Sequence, residues 1–273
     1  LKGLYEAIEE AKRHVERKIT SHPEVAIVLG TGLGGMAQSI EAEAAIAYHD
    51  IPHFVRATGV GHDGNLIVGT LGGRRVVAMQ GRLHYYEGYT MKEITFPLRV
   101  MHALGARELV MSSAVGGMNP HLDRGDIVVL TDFINLMGDN PLIGWNDDRL
   151  GPRFPDMSEP FSGERRRIFE AVALEKGTIV RRAVLVAVAG PNLETAAEYR
   201  YLRRIGADVV GMSTVPEAIV AAHCGMTVLA LSVVTDLCPA DNLQTANISE
   251  IIETAEKAEP TLRELVIEYL RRL

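Results

Sequence analysis

The chain has 273 residues, 47% of them hydrophobic and only 5% aromatic, with a formal net charge of −7 and a mean hydropathy of +0.07. An acidic balance of this size argues against a nucleic-acid or anionic-membrane surface, which would need a basic excess, while allowing a local cationic pocket for a small anion, and no apolar run reaches the ~20 residues of a membrane span. The two cysteines, Cys224 and Cys238, form neither a CxxC pair nor a Cys/His cluster at metal spacing, so no disulfide framework and no metal centre is expected, and a reducing cytoplasm is the expected setting.

Leu4, Ile8, Ala11, Val15 and Ile19 recur at helical spacing, which predicts an opening surface helix; a start this charged does not read as a signal peptide. Residues 25–29 are continuously apolar and predict a buried strand. The strand runs into Gly30-Thr31-Gly32-Leu33-Gly34-Gly35, with a helix expected after it. This turn fits the pattern GxGxxG, and Asp50 follows about twenty residues on, where a dinucleotide-binding fold places its ribose acid. Three readings stand: a nicotinamide-dependent oxidoreductase, a tight turn without ligand, and an anion held by backbone amides with the Thr31 hydroxyl as a further donor. A helix ahead of the first strand speaks against the dinucleotide reading.

Gly61-His62-Asp63-Gly64 then sets a histidine among glycines, and strands are expected at 66–71 and 76–80. After the second strand, Gly81-Arg82-Leu83-His84-Tyr85-Tyr86-Glu87-Gly88 puts Arg82 and His84 two positions apart. In an extended segment both project to one side, so a planar guanidinium fork and a directional imidazole donor can converge on one anion. Taken alone, the pair fits a solvated arginine and a structural histidine equally well. A helix at 91–104 leads to a strand at 109–114, which passes into the small residues Ser112-Ser113-Ala114-Val115-Gly116-Gly117, where a sugar or ring can lie against bare backbone. Beyond a strand at 127–131, the Pro/Gly-rich segment 138–160 has neither helical nor strand period, and a loop this long is read as functional.

Helices expected at 163–176, 195–205, 216–224 and 249–270 alternate with strands at 183–189, 209–212 and 228–234. Alternation of this kind predicts one α/β domain over residues 1–273, built on a mostly parallel sheet, with ligands at the carboxyl ends of the strands. Three polar residues fall at such ends. Glu194 is either a favourable first-turn acid of the helix at 195 or a ligand group. Ser213, just before Pro216, is either a helix N-cap or an anion ligand. Asp236 closes a very apolar strand, an unusual place for a surface charge.

Taken in order, residues 30–35, 61–64, 81–89, 113–120, 153–158, 189–198 and 206–224 resemble the trimeric purine nucleoside phosphorylase family, which also contains the methylthioadenosine phosphorylases. The resemblance runs from about residue 24 to 238. It implies a nucleoside phosphorylase-like α/β fold with a mixed, partly barrel-like sheet flanked by helices, and phosphorolysis of purine nucleosides to free base and pentose 1-phosphate. It implies phosphate ligands at Thr31, His62, Arg82, His84, the Ala114 amide and Ser213, pentose contacts at Tyr86 and Met212, and a base anchor at Glu194. It implies a homotrimer in which Phe154 closes a neighbouring subunit's sugar site. Inorganic phosphate is the co-substrate, and neither cofactor nor metal is implied. His84, Glu194 and Asp236 are the expected catalytic groups, with Asp236 a general acid if protonated.

Two positions depart from the family pattern. Asp236 stands where the 6-oxopurine members have Asn, and apolar Ile248 stands near the position of a histidine that meets the 5′-hydroxyl. Both lean toward the methylthioadenosine branch, whereas Glu194 leans toward 6-oxopurines. The expected activity is therefore purine nucleoside phosphorolysis, with inosine and guanosine favoured and some adenosine cleavage. A methylthioadenosine phosphorylase, a nicotinamide oxidoreductase and a non-catalytic nucleoside-binding protein are the alternatives.

Overall fold

The computed structural model describes residues 3–31, 33–58 and 64–273. Helix α1 (Leu4–Glu16) precedes strand β1 (Val25–Val28); β2 (Glu41–Ala47), β3 (Asn65–Leu71) and β4 (Arg74–Gln80) follow, then α2 (Met91–Ala103), β5 (Glu108–Gly117) and β6 (Ile127–Leu136). The second half contains α3 (Gly163–Glu175), β7 (Val180–Val188), α4 (Ala196–Arg204), β8 (Val209–Gly211), α5 (Val215–His223), β9 (Thr227–Leu237) and α6 (Ile248–Arg271).

Among the described residues, nine strands form one sheet of order β2-β3-β4-β1-β5-β8-β7-β6-β9, in which β9 also pairs with β5. That second pairing closes β5, β8, β7, β6 and β9 into a ring, so the sheet is a barrel on one side and open on the other. Five pairings are parallel and four antiparallel; the sheet is mixed, with parallel pairs ahead by one. The antiparallel pair β3–β4 is joined through Gly72 and Gly73, both at positive φ (58° and 80°), the backbone that a two-residue hairpin turn demands.

Burial explains the apolar runs. Every residue of β1 is buried, because helices cover both faces of the sheet: Ile8, Val15, Leu98 and Val220 from α1, α2 and α5 pack on one side, and Phe169, Val172, Leu262 and Tyr269 from α3 and α6 on the other. At about 25 cal/mol per Å² of apolar surface removed from water, this two-sided burial is the main favourable term in the fold.

The structure departs from the sequence reading in three places. The helix expected after the glycine-rich turn is a six-residue 3-10 turn, Gly34–Ser39, as its two leading glycines disfavour a regular helix. Strand β2 was not anticipated: its Glu-Ala-Glu-Ala start is mostly exposed, so no apolar run marks it. Strands β5, β6 and β9 all extend past their apolar cores into polar or glycine residues, and the extensions of β5 and β9 lie at the cavity between the strand ends. Residues 138–160 hold no helix or strand. Among the described residues, no helix is long and apolar enough to cross a membrane.

Candidate active site

A cavity of about 230 Å³ opens where the carboxyl ends of β1, β4, β5, β8 and β9 meet, and Thr31, Arg82, His84, Tyr86, Ala114, Glu194, Met212, Ser213 and Asp236 all line it. These residues come from six separate segments of the chain, and the sheet alone brings them together. His62 lies outside the described residues. Phe154 does not reach the cavity: its side chain is 86% exposed, on a loop that also exposes Ile143 and Trp145 at 61% each.

At one end the cavity presents fixed donors. Arg82 is 1% exposed. Its Nε meets Glu217 Oε1 at 2.8 Å, and its Nη1 donates to the Ser112 carbonyl at 3.1 Å and to Ser213 Oγ at 3.0 Å. A guanidinium buried this deeply needs a carboxylate partner, and Glu217 in the first turn of α5 supplies it. Ser213 is not the helix cap: the cap residue is Thr214, which makes no side-chain capping bond. Thr214 has φ 72°, a strained backbone for a β-branched residue. Strain of this kind, next to a helix N-terminus and to Ser213 in the cavity wall, belongs to the site rather than to the packing.

His84 is aimed in the same manner. The Glu87 carboxylate accepts from the His84 amide at 2.7 Å and lies 3.2 Å from His84 Nδ1. It also accepts from the Thr58 amide at 2.8 Å and from the Thr58 hydroxyl. Burial pushes the Glu87 carboxyl up, but the hydrogen bonds from His84 and Thr58 outweigh it and hold the group at about 2. An ionised carboxylate only accepts, so the Nδ1 that faces Glu87 carries a proton. The ring stacks on Tyr86 with centroids 4.7 Å apart, which fixes its plane.

The opposite end carries acids. Glu194 is not a first-turn acid: α4 starts at Ala196, capped by Thr195 in a reciprocal box with Glu198. Burial pushes the Glu194 carboxyl up, against a hydrogen bond from Tyr199, with Glu198 and Asp236 adding to the rise. Asp236 faces the cavity through a break in the β5–β9 ladder. Val115 pairs with Val234 and Gly116 with Asp236, so Thr235 is an extra residue on β9. This bulge lets two consecutive residues, Thr235 and Asp236, line one cavity. Ile248 and Ile251 of α6 form the remaining wall.

The sequence reading missed Glu87, Glu217 and Tyr199. Glu87 had a local signal, three residues beyond His84; Glu217 and Tyr199 had none, since only the fold brings them to Arg82 and Glu194. The dinucleotide reading fails on geometry: Asp50 sits in a surface turn beside His49, its side chain 55% exposed, and does not line the cavity.

Comparison with known proteins agrees with this geometry. The Phosphorylase superfamily model matches residues 24–271. Purine nucleoside phosphorylase 1 of Geobacillus stearothermophilus is 46% identical over 267 residues, covering 98% of this chain and 97% of that protein. Crystal structures of Schistosoma mansoni purine nucleoside phosphorylase with adenosine and with inosine superpose with TM-scores of 0.94 each, at 38% and 37% identity, covering 98% of this chain and 97% and 96% of those chains. Fold, cavity and sequence agree that the chain belongs to the purine nucleoside phosphorylases, pentosyltransferases of the phosphorylase superfamily.

Proposed function

We propose that this chain cleaves purine ribonucleosides and 2′-deoxyribonucleosides with inorganic phosphate as co-substrate, giving free base and pentose 1-phosphate. The observation that carries the reading is the polarity of one cavity, with buried cationic and hydroxyl donors at one end and two acids at the other. A phosphate dianion fits the first end, on Arg82, His84, Ser213, Thr31 and the Ala114 amide. A purine fits the second, and the pentose lies between them against Tyr86 and Met212.

Breaking the N-glycosidic bond builds positive charge on the sugar ring. Phosphate held on that face stabilises the charge and then attacks C1′, while electrons flow into the purine. Glu194 anchors the N1 edge, and Asp236 meets N7 and the 6-substituent, where a donor to N7 stabilises the departing base. The nucleophile arrives as an anion in a cationic pocket, so the scheme calls for no metal and no redox cofactor.

The chain works as a homotrimer in this reading, with Phe154 completing a neighbour's sugar site. The exposed cluster of Ile143, Trp145 and Phe154 supports an interface there. The free thiols of Cys224 and Cys238 suit a cytoplasmic setting. Inosine and guanosine are the favoured substrates, with measurable cleavage of adenosine. The test is release of free base from inosine, guanosine and adenosine with and without phosphate. Base release that does not depend on phosphate, or NAD binding in place of turnover, breaks the reading; a fully active sample with the light-scattering mass of one chain breaks the trimer.

A further inference from the structure

The base end of the cavity holds two buried groups, Tyr199 and Cys238, that phosphorolysis as proposed leaves unused. Asp236 accepts at both oxygens: Thr235 Oγ1 donates to Oδ1 at 3.0 Å, and the Cys238 thiol donates to Oδ2 at 3.3 Å. Cys238 is 4% exposed, and its sulfur lies 2.9 Å from where a Cβ on residue 116 would stand, so the pair needs the bare backbone of Gly116. The buried Tyr199 side chain lines one adjoining hollow with Cys238, Glu194 and Asp236, and its hydroxyl acts on both Glu194 and Cys238. Glu194, Tyr199, Cys238 and Asp236 are thus one cluster. Glu198 acts on Glu194 through its charge, and Arg124 and Glu250 line the adjoining hollow.

We propose that Tyr199 and Cys238 are positioning residues that decide which of the two acids carries a single shared proton, and thereby set the balance between 6-amino and 6-oxopurines. The inference rests on the base contacts proposed for Glu194 and Asp236. Adenine has an acceptor at N1 and a donor in its 6-amino group. It pairs with a protonated Glu194, which donates to N1, and an ionised Asp236, which accepts from the amino group and from N7 once protonated. Hypoxanthine and guanine have a donor at N1 and an acceptor at O6. They pair with an ionised Glu194 and a protonated Asp236. Each base class needs one proton on the pair, on opposite members.

The two neighbours pull that proton in opposite directions. The Cys238 S–H stabilises ionised Asp236, which leaves the proton on Glu194 and favours adenine. The Tyr199 O–H stabilises ionised Glu194, which favours 6-oxopurines. When Glu194 is protonated its O–H goes to N1, and the Tyr199 hydroxyl turns to donate to Cys238 Sγ, so neither state leaves a buried donor unpaired. Burial alone raises Glu194, which supports the adenine-competent state.

The test is the ratio of kcat/KM for inosine to that for adenosine, followed from pH 5 to 9 in Cys238→Ala, Cys238→Ser, Tyr199→Phe and Asp236→Asn. Cys238→Ala is expected to raise the ratio about fivefold, the worth of one ordinary hydrogen bond, since a thiol is a weak donor, and Cys238→Ser to restore it. Tyr199→Phe is expected to lower the ratio by a similar factor. Each substitution removes a donor that stabilised an anion, so the alkaline loss of activity moves to higher pH in Cys238→Ala and in Tyr199→Phe alike. Simple structural damage would move both ratios the same way. A common direction, no movement, or no rescue by serine overturns the inference. If Asp236→Asn still moves the ratio toward inosine, the base contacts stand without it; if that variant is also inert, both fall.

Discussion

At the end of the cavity proposed for phosphate, Arg82 and His84 each lean on a carboxylate of their own, Glu217 and Glu87, whereas at the end proposed for the base Glu194 and Asp236 line the cavity themselves and lean on two hydroxyls and a thiol. The first arrangement fixes direction. Glu217 and Glu87 hold the Arg82 and His84 side chains in place, which suits the proposed phosphate, an anion that never changes. The second leaves acids whose proton can move, which suits a base whose hydrogen-bonding edge differs between substrates. The lesson is that a site can be rigid and adaptable at once when the supporting groups differ in kind: fixed charges support the constant ligand, and rotatable neutral donors support the variable one.

The largest effect should come from breaking the rigid end. Arg82→Ala removes a charged fork and strands Glu217 in a buried setting, so phosphate affinity should fall about a hundredfold and the folded state should lose about 3 kcal/mol. Phosphate saturation curves and thermal unfolding measure the two losses; saturation at wild-type concentrations would remove Arg82 from the phosphate site.

A smaller effect comes from Glu87. Its carboxyl is held at about 2 in the folded chain, below its ordinary value near 4.5. Its contribution to stability is therefore complete above pH ~4.5 and is lost as pH falls toward 2, up to about 3 kcal/mol in all. Glu87→Gln should unfold less steeply with acid across that window, and an unchanged acid-unfolding curve would contradict the assignment.

The smallest effect sharpens the contrast from the adaptable end. Asn donates at every pH, so Asp236→Asn should move the inosine-to-adenosine ratio of kcat/KM toward inosine by about tenfold, one charged hydrogen bond in worth. Movement toward adenosine would mean that Asp236 does not meet the 6-substituent.

The rigid end was also the more legible in sequence. Arg82 and His84 announce themselves through i, i+2 spacing after an apolar strand, and Ser213 through its place before Pro216. Their supports were not legible, because Glu217 lies 135 positions from Arg82 along the chain and no local pattern joins them. At the base end, Glu194 and Asp236 were legible as acids at strand ends. The thiol and hydroxyl that hold them were not, since buried Tyr199 and Cys238 look like ordinary core residues. The closed ring of β5 to β9 was likewise hidden: apolar runs mark where strands lie, but the pairing of β9 with both β5 and β6 depends on register that periodicity does not encode. The 3-10 turn at Gly34–Ser39 was misread for a related reason, because a glycine fingerprint specifies a turn and leaves the type of the next element open.

The extra residue on β9 also bears on how such an enzyme changes its diet. In a regular strand, neighbours face opposite ways, and redirecting one side chain means sliding the whole ladder. Here Thr235 is left out of the pairing while Gly116 and Gly117 keep their partners on β9, so the adjacent positions 235 and 236 both open on the cavity without disturbing the ring. Substrate range is thereby uncoupled from architecture. Libraries that randomise positions 235 and 236 are expected to change the lining of the cavity by single codon changes while the barrel keeps its register.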